Sequence, residues 1–329
     1  MKKVINWAVV GTGGITNKFI TGLFAAEGAK PLAVVSRNKA SAESFADKYG
    51  VLKKYDSYDD MLGDSSVDVI YIGTPHSTHK ELAIKAFRAK KSVLCEKPLC
   101  INAAELREMI NSARENKVFF MEAMWTRYVP PVRKVREWLA QDLIGEVKFV
   151  QANFGFNFQP RNPESRLLKA ELGGGALLDA GVYPVSMASM VYGGRKPEHI
   201  GSVLQTGDTN VDEITSAVIS YGKSKAASLS TSLCVSLQND AWIYGSQGYI
   251  HIPNFVFAHS AEYIFYGRET YRFEGDFISN GYNYQAEEVM DCLREGRLES
   301  SVMTLDESLT IMETMDAIRR QWNFKYPME

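Results

Sequence analysis

The sequence predicts an α/β domain with a parallel sheet, followed by an α+β domain whose sheet is mostly antiparallel. Three observations favour this fold. In the first 125 or so of the 329 residues, strand-like apolar runs alternate with helical patterns. From Val147 onward, strand-like runs follow one another, and several alternate apolar with polar residues. No repeat, low-complexity tract or long linker separates the two regions, so we expect the domains to join directly near residue 125.

The first domain, residues 1–125, is predicted from five apolar runs rich in β-forming residues. They read INWAVVG, PLAVVS, VDVIYIG, SVLCE and VFFMEA, and helical patterns such as THKELAIKAFRAKK separate them. Strands that are apolar along their whole length are typical of parallel sheets covered by helices on both faces. We therefore expect a parallel sheet with helices on either side.

The second domain, residues 126–329, is predicted from successive strands. Runs such as VKFVQANFGFNF, ITSAVISYG and DAWIYGSQGYIHIP indicate an antiparallel sheet with one buried face. A glycine-led helical stretch, GGGALLDAGVYPVSMASMVYGG, interrupts them. Two closing helices near 282–296 and 305–323 carry apolar residues at three- and four-residue spacing, and they could return to the first domain.

Composition argues against several classes of function. The net charge is near −2 with both signs interspersed, which disfavours binding to nucleic acid or to a membrane surface. No apolar run approaches the roughly 20 residues of a membrane span. The lysine-led start runs into a glycine turn, so we interpret it as a first strand rather than a signal peptide. The four cysteines show no CxxC pair, which suits a reducing cytoplasm and neither a disulfide framework nor a zinc site.

The stretch VVGTGGIT has the context of a dinucleotide-binding turn. Gly11, Gly13 and Gly14 follow the first predicted strand and, with Ile15, open the first predicted helix. Without side chains, the backbone can approach a pyrophosphate, whose charge is met by the helix N-terminus. Thr16 replaces the third small residue of the fingerprint, so helix and strand could pack less closely. A purely structural turn is the alternative, which the position of the stretch disfavours.

The end of the second strand favours NADP over NAD. An NAD site would place Asp or Glu there to hold the ribose 2′-hydroxyl, whereas this chain has Ser36 followed by Arg37. Serine and arginine can hydrogen-bond and pair with a 2′-phosphate, which an acid would repel. NAD stays an alternative, because Arg37 could be an ordinary solvated loop residue.

The run VDVIYIG continues into TPHSTH, at the carboxyl edge of the predicted sheet. Open α/β sheets bind ligands at this edge, so Thr74, His76 and His79 are candidate cofactor contacts. His79 is expected to begin the next helix rather than to bind a metal. No carboxylate or thiolate cluster accompanies the two histidines, and we expect no metal site.

The run SVLC ends in Glu96, Lys97 and Pro98, which is an unusual end for an apolar strand. Lysine is costly to bury, and the proline stops the strand. A solvated turn would explain the lysine. At this edge, however, its ammonium could also bond the cofactor ribose and lower the pKa of a neighbouring acid. We expect Lys97 to act in catalysis and Glu96 to contact the cofactor; a cis bond before Pro98 cannot be read from the sequence.

The stretch GGGALLDAGVYPVSM offers a proton donor. Asp179 and Tyr183 are four residues apart and would share one face of a helix. Pro184 leaves two alternatives, a helix kinked near Ala180 or a helix that starts at Tyr183. A tyrosine with a pKa of about 10 is protonated at neutral pH and can donate a proton when a carbonyl is reduced. Core packing is the alternative role for Tyr183.

Residues near the domain junction are candidate substrate contacts. The stretches EAMWTRY and NFGFNF contain Trp125, Arg127, Phe154 and Phe156. Aromatic walls bind the faces of sugars and planar rings, although a strand core would use the same residues. We name Trp125, Arg127 and Phe154 as the candidates.

The glycine turn, EKP and GGGxLLDxGxYP together resemble the glucose–fructose oxidoreductase / inositol dehydrogenase family over essentially the whole chain. The pair EAMWTR and LLDAGVYP looks most like its branch of dimeric trans-dihydrodiol dehydrogenases. The resemblance implies a Rossmann domain and an α+β domain with a large, mostly antiparallel open sheet that forms homodimers or homotetramers. It also implies a tightly held NAD(P) and hydride transfer at a carbon of a sugar, polyol or cyclic diol.

The resemblance implies roles for individual residues. Lys97 matches the family's EKP lysine, which assists catalysis and touches the cofactor. Asp179 matches its helix aspartate, which orients substrate or donor. Many members carry histidine at the position of Tyr183, whereas the dihydrodiol-like branch carries tyrosine, which argues against a myo-inositol-type site. Ser36 and Arg37 resemble the family's NADP users.

Two hypotheses of function remain. The first is an NADP-dependent oxidoreductase in which Tyr183, assisted by Lys97 and Asp179, moves the proton that accompanies hydride transfer at a CH–OH carbon. The second is a non-catalytic NAD(P)-binding regulator, which could have lost the lysine and the tyrosine that this chain keeps. A methyltransferase would use the glycine turn but leaves EKP unexplained.

Overall fold

The computed structural model describes residues 3–267 and 270–329, and the chain divides into two compact units. The first unit comprises the chain up to Cys100 together with Ala104–Trp125 and Phe277–Leu305. The second unit comprises Ile101–Ala103, Thr126–Asp276 and Asp306–Glu329. Each unit therefore contains segments from the C-terminal third of the chain.

A six-stranded parallel sheet forms the first unit. Its strands are β1 (Ile5–Val10), β2 (Ala29–Val35), β3 (Lys53–Tyr55), β4 (Val69–Ile72), β5 (Ser92–Glu96) and β6 (Phe120–Ala123). Their order is β3-β2-β1-β4-β5-β6, and every neighbouring pair is parallel. This confirms the predicted parallel sheet. The edge strand β3 is absent from the prediction because its residues, KKY, form no apolar run.

Helices connect these strands and end where the sequence provides caps. They are α1 (Gly14–Leu23), α2 (Lys39–Tyr49), α3 (Tyr58–Leu62), α4 (His79–Arg88) and α5 (Ala103–Asn116). The side chain of Asn38 accepts a hydrogen bond from the N–H of Ser41 and caps α2, which ends at the left-handed Gly50. Ser57 caps α3 in the same way. The later helices are α6 (Pro130–Ala140), α7 (Val182–Val191), α8 (Asn283–Glu295) and α9 (Leu305–Gln321).

An eight-stranded sheet forms the second unit. Its strands are β7 (Val147–Gly155), β8 (His199–Thr206), β9 (Asp212–Gly222), β10 (Lys225–Ser232), β11 (Ala241–Gly245), β12 (Gly248–Ile252), β13 (Ser260–Phe265) and β14 (Thr270–Glu274). Their order is β14-β13-β12-β11-β7-β10-β9-β8, and only the β7–β10 pair is parallel among the described strands. The mostly antiparallel sheet of the α+β prediction is confirmed.

One face of this second sheet is buried. In β9, Ala217, Ile219 and Tyr221 are buried, whereas the alternating Ile214 and Val218 are exposed. The buried face packs against α7, whose residues are buried on nearly all sides. The sheet therefore supports the helix that contains Tyr183. Within residues 3–267 and 270–329, no helix is both long enough and apolar enough to cross a membrane.

Candidate functional site

The glycine turn after β1 leaves room for a bound phosphate. Gly11 has a φ of +95°, and a Cβ there would lie 3.1 Å from the carbonyl oxygen of Gly73 at the end of β4. At Gly13 and Gly14 a Cβ would meet no described atom within 4 Å. Gly13 is the N-cap of α1, and as a glycine it has no side chain that could cap this helix end. Open space beside an uncapped helix N-terminus fits the pyrophosphate of a dinucleotide.

Asn17 holds this turn against α2. Its Nδ2 donates to the carbonyl oxygens of Thr12 (3.1 Å) and Gly13 (2.8 Å). Its Oδ1 accepts from Nζ of Lys48 (2.9 Å) and from the hydroxyl of Tyr49 (2.8 Å). Sequence reasoning missed these residues, because an asparagine in the first turn of a helix is too common to single out.

The side chain of Thr16 packs against Gly73. Thr16 is fully buried, and its Oγ1 lies 3.5 Å from the carbonyl oxygen of Gly73. A Cβ at Gly73 would lie 2.5 Å from that hydroxyl. The residue that replaces the third small position of the fingerprint is therefore accommodated because position 73 has no side chain. Ile15, the residue before Thr16 in α1, is half-buried.

Ser36 and Arg37 lie beside the glycine turn. The N–H of Gly11 donates to the carbonyl oxygen of Val35 (2.9 Å), the residue before Ser36. Ser36 is fixed by its own N–H, which donates to Tyr55 (3.1 Å), and its Oγ accepts from the N–H of Asn38 (3.3 Å). Arg37 is exposed. A fixed hydroxyl next to an exposed guanidinium fits a ribose 2′-phosphate.

The histidines after β4 differ in their surroundings. His79 begins α4, as predicted from the sequence. Its side chain is fully buried, and both ring nitrogens face carbonyl oxygens. Nε2 lies 2.8 Å from that of Thr74, and Nδ1 lies 3.2 Å from that of Pro98. His79 thus links the ends of β4 and β5. His76, also buried, opens the short 3₁₀ turn before α4.

Glu96 and Lys97 stand at the carboxyl end of β5. Glu96 is buried, and its Oε1 accepts a hydrogen bond of 2.7 Å from the hydroxyl of Tyr71. Burial, together with the charge of Glu96, raises the pKa of Tyr71 well above 10, so this hydroxyl stays a donor. Lys97 is half-buried, and the Lys97–Pro98 peptide bond is cis. In register, Cys95 of β5 pairs with Ile72 of β4, so both strand ends reach the same edge of the sheet.

Asp179 and Tyr183 lie on one continuous helical segment. A π-helical turn, Leu177–Gly181, leads directly into α7. Of the two alternatives that Pro184 leaves open, the helix therefore does not start at Tyr183. A π turn adds one residue to a helix and is frequent at functional sites. Asp179 and Tyr183 are each 7% exposed.

Arg166 pairs with Asp179. Nη1 of Arg166 lies 3.0 Å from Oδ1 of Asp179; the arginine side chain is 48% exposed and the aspartate side chain 10%. Sequence reasoning missed Arg166, because it lies in an irregular loop outside any motif. The pairing places one positive charge beside Asp179 on the side of this loop.

In the second unit the ring of Phe154 contacts Tyr183, and two further aromatic rings lie beside Phe154. The ring of Phe154, at the end of β7, meets that of Tyr183 edge to face with centroids 5.4 Å apart. Phe156 and Phe257 lie 6.1 Å and 6.4 Å from Phe154. Phe257 is 41% exposed and was missed by sequence reasoning, since nothing in NFVF marks it as a ligand contact. These rings can receive the apolar face of a sugar or planar ring.

Trp125 and Arg127 are buried in different surroundings. Trp125 stacks on Tyr282 with centroids 4.8 Å apart, inside the first unit. In the second unit, Nη2 of Arg127 donates to the carbonyl oxygen of Ser186 (2.7 Å) and pairs with Glu307 (2.7 Å). These contacts give both side chains a packing role. Their contact with substrate stays a prediction.

The candidate residues divide between the units. Those for the cofactor, from Gly11 to Lys97, share the first unit, whereas Asp179, Tyr183 and Phe154 belong to the second. Convergence of Lys97 with Tyr183 stays a prediction. Within the described parts of the chain, no group of three or more His, Cys, Asp or Glu side chains is placed to hold a metal ion.

The chain matches models of two protein domains. Residues 5–124 match the oxidoreductase family with an NAD-binding Rossmann fold, and residues 132–251 match the GFO/IDH/MocA C-terminal domain. The trans-1,2-dihydrobenzene-1,2-diol dehydrogenase of Xenopus laevis is 38% identical over 330 residues, which cover 98% of this chain and 99% of that enzyme.

Solved structures share the fold. A 3-ketoreductase from Actinomadura kijaniata, solved with NADP and TDP-benzene, has a TM-score of 0.85 and 24% identity over 97% of this chain and 98% of that one. Levoglucosan dehydrogenase in complex with NADH has a TM-score of 0.89 and 19% identity over 97% and 96%. Both architectures therefore match over nearly their full length.

Proposed function

Because the chain belongs to the GFO/IDH/MocA oxidoreductase family, we propose that it interconverts a CH–OH group and a carbonyl on a sugar, polyol or cyclic trans-diol. Membership confirms the predicted NAD(P)-dependent oxidoreductase and excludes the methyltransferase alternative. We further propose that NADP is the preferred cofactor, that Tyr183 exchanges the proton, and that Lys97 and Asp179 assist this exchange.

Residues of the first unit would hold the cofactor. The turn at Gly11, Gly13 and Gly14, with Ile15, fits the pyrophosphate, because it combines open space with the N-terminus of α1. At the ends of β4 and β5, the candidates for the nicotinamide half are Thr74, His76, His79, Glu96 and Lys97. When bound, the nicotinamide supplies or accepts the hydride.

Preference for NADP rests on Ser36 and Arg37. The carboxylate that would hold a ribose 2′-hydroxyl is replaced by a hydroxyl and an exposed guanidinium. The structural relatives include one solved with NADP and one with NADH, so the fold accepts either dinucleotide. NAD is therefore the alternative cofactor.

Tyr183 is the proposed proton donor in the direction of reduction. Its phenol would give a proton to the carbonyl oxygen as the carbon accepts hydride, which yields the alcohol. In the direction of oxidation the phenolate would take that proton back. Lys97 would favour the phenolate through its positive charge, and Asp179 would orient the reacting hydroxyl. The rings of Phe154 and Phe257 would contact the ring of the substrate.

The observation that carries the proposal is the π turn that joins Asp179 to Tyr183 on one buried helix face. The test is turnover, followed at the reduced nicotinamide band, with a panel of trans-diols (among them trans-1,2-dihydrobenzene-1,2-diol), aldoses and polyols. We expect activity in at least one direction and its loss in Tyr183→Phe, with NADP binding retained. NADP binding without turnover of any compound would favour a regulatory protein instead.

A homodimer or homotetramer is proposed from the open face of the second sheet. Trp242 stacks on His251 with centroids 3.7 Å apart, and Tyr244 lies 6.3 Å from Phe149 and 5.9 Å from Tyr249. Pairing of two copies through this half-buried aromatic face would remove apolar ring surface from water. Light scattering tests it: a charge introduced by Trp242→Glu should yield monomers, whereas Phe24→Glu, at an exposed residue of the first unit, should not.

Residence in a reducing cytoplasm is also proposed. The cysteines Cys95, Cys100, Cys234 and Cys292 are all free thiols in the structure, and three of them are buried. Burial raises the pKa of Cys95 well above 9, which keeps this thiol unreactive. Fractionation of cells that produce the protein tests the location.

A further inference from the structure

Asp212 is a fully buried carboxylate at the start of β9. Its Oδ2 accepts a hydrogen bond of 2.6 Å from the backbone N–H of Leu177, the first residue of the π turn. The same oxygen accepts a bond of 3.1 Å from the hydroxyl of Thr215. A side chain of the sheet thus contacts the first turn of the helix that contains Asp179 and Tyr183.

This contact replaces a local cap. Ala176, the residue before the π turn, has no side chain that could cap the helix. Helix N-termini leave their first N–H groups without partners inside the helix, and they favour a negative charge nearby. Asp212 supplies both a hydrogen-bond acceptor and a negative charge from a different strand. The start of the helical segment that contains Asp179 and Tyr183, called the catalytic helix below, is therefore bonded to β9.

Neighbouring residues are shaped around the carboxylate. Gly175 has a φ of +122°, and a Cβ at this position would collide with Oδ1 of Asp212. The hydroxyl of Tyr326 donates to the carbonyl oxygen of Gly174 (2.8 Å). The glycine segment, residues 173–175, is thus also held by Tyr326. A glycine is required at 175 because the carboxylate approaches the backbone so closely.

The buried carboxylate of Asp212 reduces the stability of the fold. Within the described chain, Oδ1 has no hydrogen-bond partner, and a buried polar atom without one destabilises the folded state. Burial also raises the pKa of Asp212 to about 6, so burial of the charge is itself unfavourable at neutral pH. The charged groups facing it are Arg319 of α9 and, around the adjoining Tyr326, Asp179 and Glu329. A neutral cap such as asparagine would hold the N–H of Leu177 without this charge.

We propose that Asp212 is a positioning residue for the catalytic helix: its bond to Leu177 fixes the π turn and thereby the orientation of Asp179 and Tyr183. The inference rests on the proposed role of Tyr183. Displacement of a reacting group by about 1 Å can reduce a rate by about a hundredfold. A change of Asp212 should therefore reduce kcat and leave NADP binding, which we assign to the other unit, unaffected.

The experiment compares Asp212→Ala, which removes the acceptor for the N–H of Leu177, with Asp208→Ala, the same chemical change at an exposed residue of the β8–β9 connection. For Asp212→Ala we expect kcat to fall about tenfold or more with the panel compound that the wild-type enzyme turns over fastest. The dissociation constant of NADP should stay within about twofold. Hydrogen exchange of the amides in 177–183 should accelerate in this variant alone. Wild-type kcat and wild-type exchange in folded Asp212→Ala would overturn the proposal.

Thr215 provides a second pair of variants. Thr215→Val removes the other donor to the carboxylate, whereas Thr215→Ser keeps it. We expect the valine variant to lose kcat and the serine variant to behave as wild type, even if Asp212→Ala does not fold; equal kcat in both would count against the proposal. Tyr183→Phe separates the two proposals. Full activity of Tyr183→Phe refutes the proposed function, while loss there with no effect at Asp212 and Thr215 refutes only this inference.

Discussion

Arg166 donates a hydrogen bond from Nη1 to Oδ1 of Asp179 across 3.0 Å. The pair joins the loop before the glycine segment to the π turn that precedes α7. About half of the arginine side chain is exposed, whereas the aspartate is nearly buried. A guanidinium has five N–H donors, so Arg166 can hold Asp179 and still contact a substrate oxygen. The geometry therefore adds Arg166 to the residues expected to shape the active site.

Arg166→Ala should weaken catalysis without affecting cofactor binding. We expect kcat/KM to fall about tenfold, since loss of a charge-assisted bond at a half-exposed site corresponds to about 1.4 kcal/mol. Steady-state kinetics and NADP titration measure the two effects. Arg161→Ala is the matched control, because Arg161 pairs with Glu213 rather than with Asp179. Equal losses of kcat/KM in both variants would show that catalysis depends on the loop as a whole and not on the contact with Asp179.

Arg37→Ala should change the choice of cofactor. Removal of the guanidinium that faces the expected 2′-phosphate should raise the KM for NADP by roughly 10- to 100-fold. The KM for NAD should change by less than about twofold, because NAD lacks this phosphate. Arg88→Ala, an exposed arginine at the end of α4, should alter neither value. A parallel rise in both KM values for Arg37→Ala would refute the assignment of NADP.

The fold was predictable where burial is complete. Strands β1, β4, β5 and β6 coincide with mostly apolar runs, because a parallel sheet covered on both faces leaves few positions for polar residues. The parallel pairing of β7 with β10 was not predictable, since pairing of strands far apart in the chain depends on tertiary packing. The run DAWIYGSQGYIHIP corresponds to two antiparallel strands.

The candidate site was predictable where a motif marks it. Three motifs can be recognised in the sequence: the glycine turn, EKP and the Asp179–Tyr183 spacing. Backbone conformation restricts the residue type in the first, and the expected chemistry restricts it in the other two. Arg166 and Asp212 cannot be recognised in this way, because their roles depend on contacts with residues 13 and 35 positions away. The π turn that precedes Pro184 was also beyond sequence reasoning, because local rules offered two alternatives and tertiary contacts decide between them.

Tyr71→Phe should weaken both the fold and the reaction. The change removes the hydroxyl that donates to Glu96, the residue before Lys97, and leaves the stacking on Phe19 intact. We expect the free energy of unfolding to fall by about 1–3 kcal/mol and kcat/KM to fall several-fold. Denaturant titration and steady-state kinetics measure these effects.

Tyr55→Phe is the control for Tyr71→Phe. It removes a hydroxyl that donates to Asp64 (2.8 Å) in the same unit but far from EKP in the chain. We expect a similar loss of stability with unchanged kcat/KM. If both variants keep full activity, the Tyr71–Glu96 bond has no part in placing Lys97.

Asp212 should leave a signature in the pH dependence of stability. Burial raises its pKa from 3.8 to about 6 in the folded protein. The folded protein therefore binds this proton more tightly than the unfolded chain does, so the contribution of Asp212 to stability is greatest below pH 4 and declines between about pH 4 and pH 6. Two units of pKa, at about 1.4 kcal/mol each, amount to about 3 kcal/mol.

Asp212→Asn cannot ionise, so its stability relative to wild type should rise as the pH increases from 4.5 to 7. Melting temperatures measured across this range test the prediction. Asp64→Asn is the control of opposite sign: bonds from Lys53 and Ser66 hold the pKa of Asp64 well below its usual range. The melting temperature of wild type should therefore exceed that of Asp64→Asn by a constant margin over the same pH range. This margin should shrink only below about pH 4. A difference for Asp212→Asn that stays constant or shrinks between pH 4.5 and 7 would mean that this carboxylate does not titrate as a buried group.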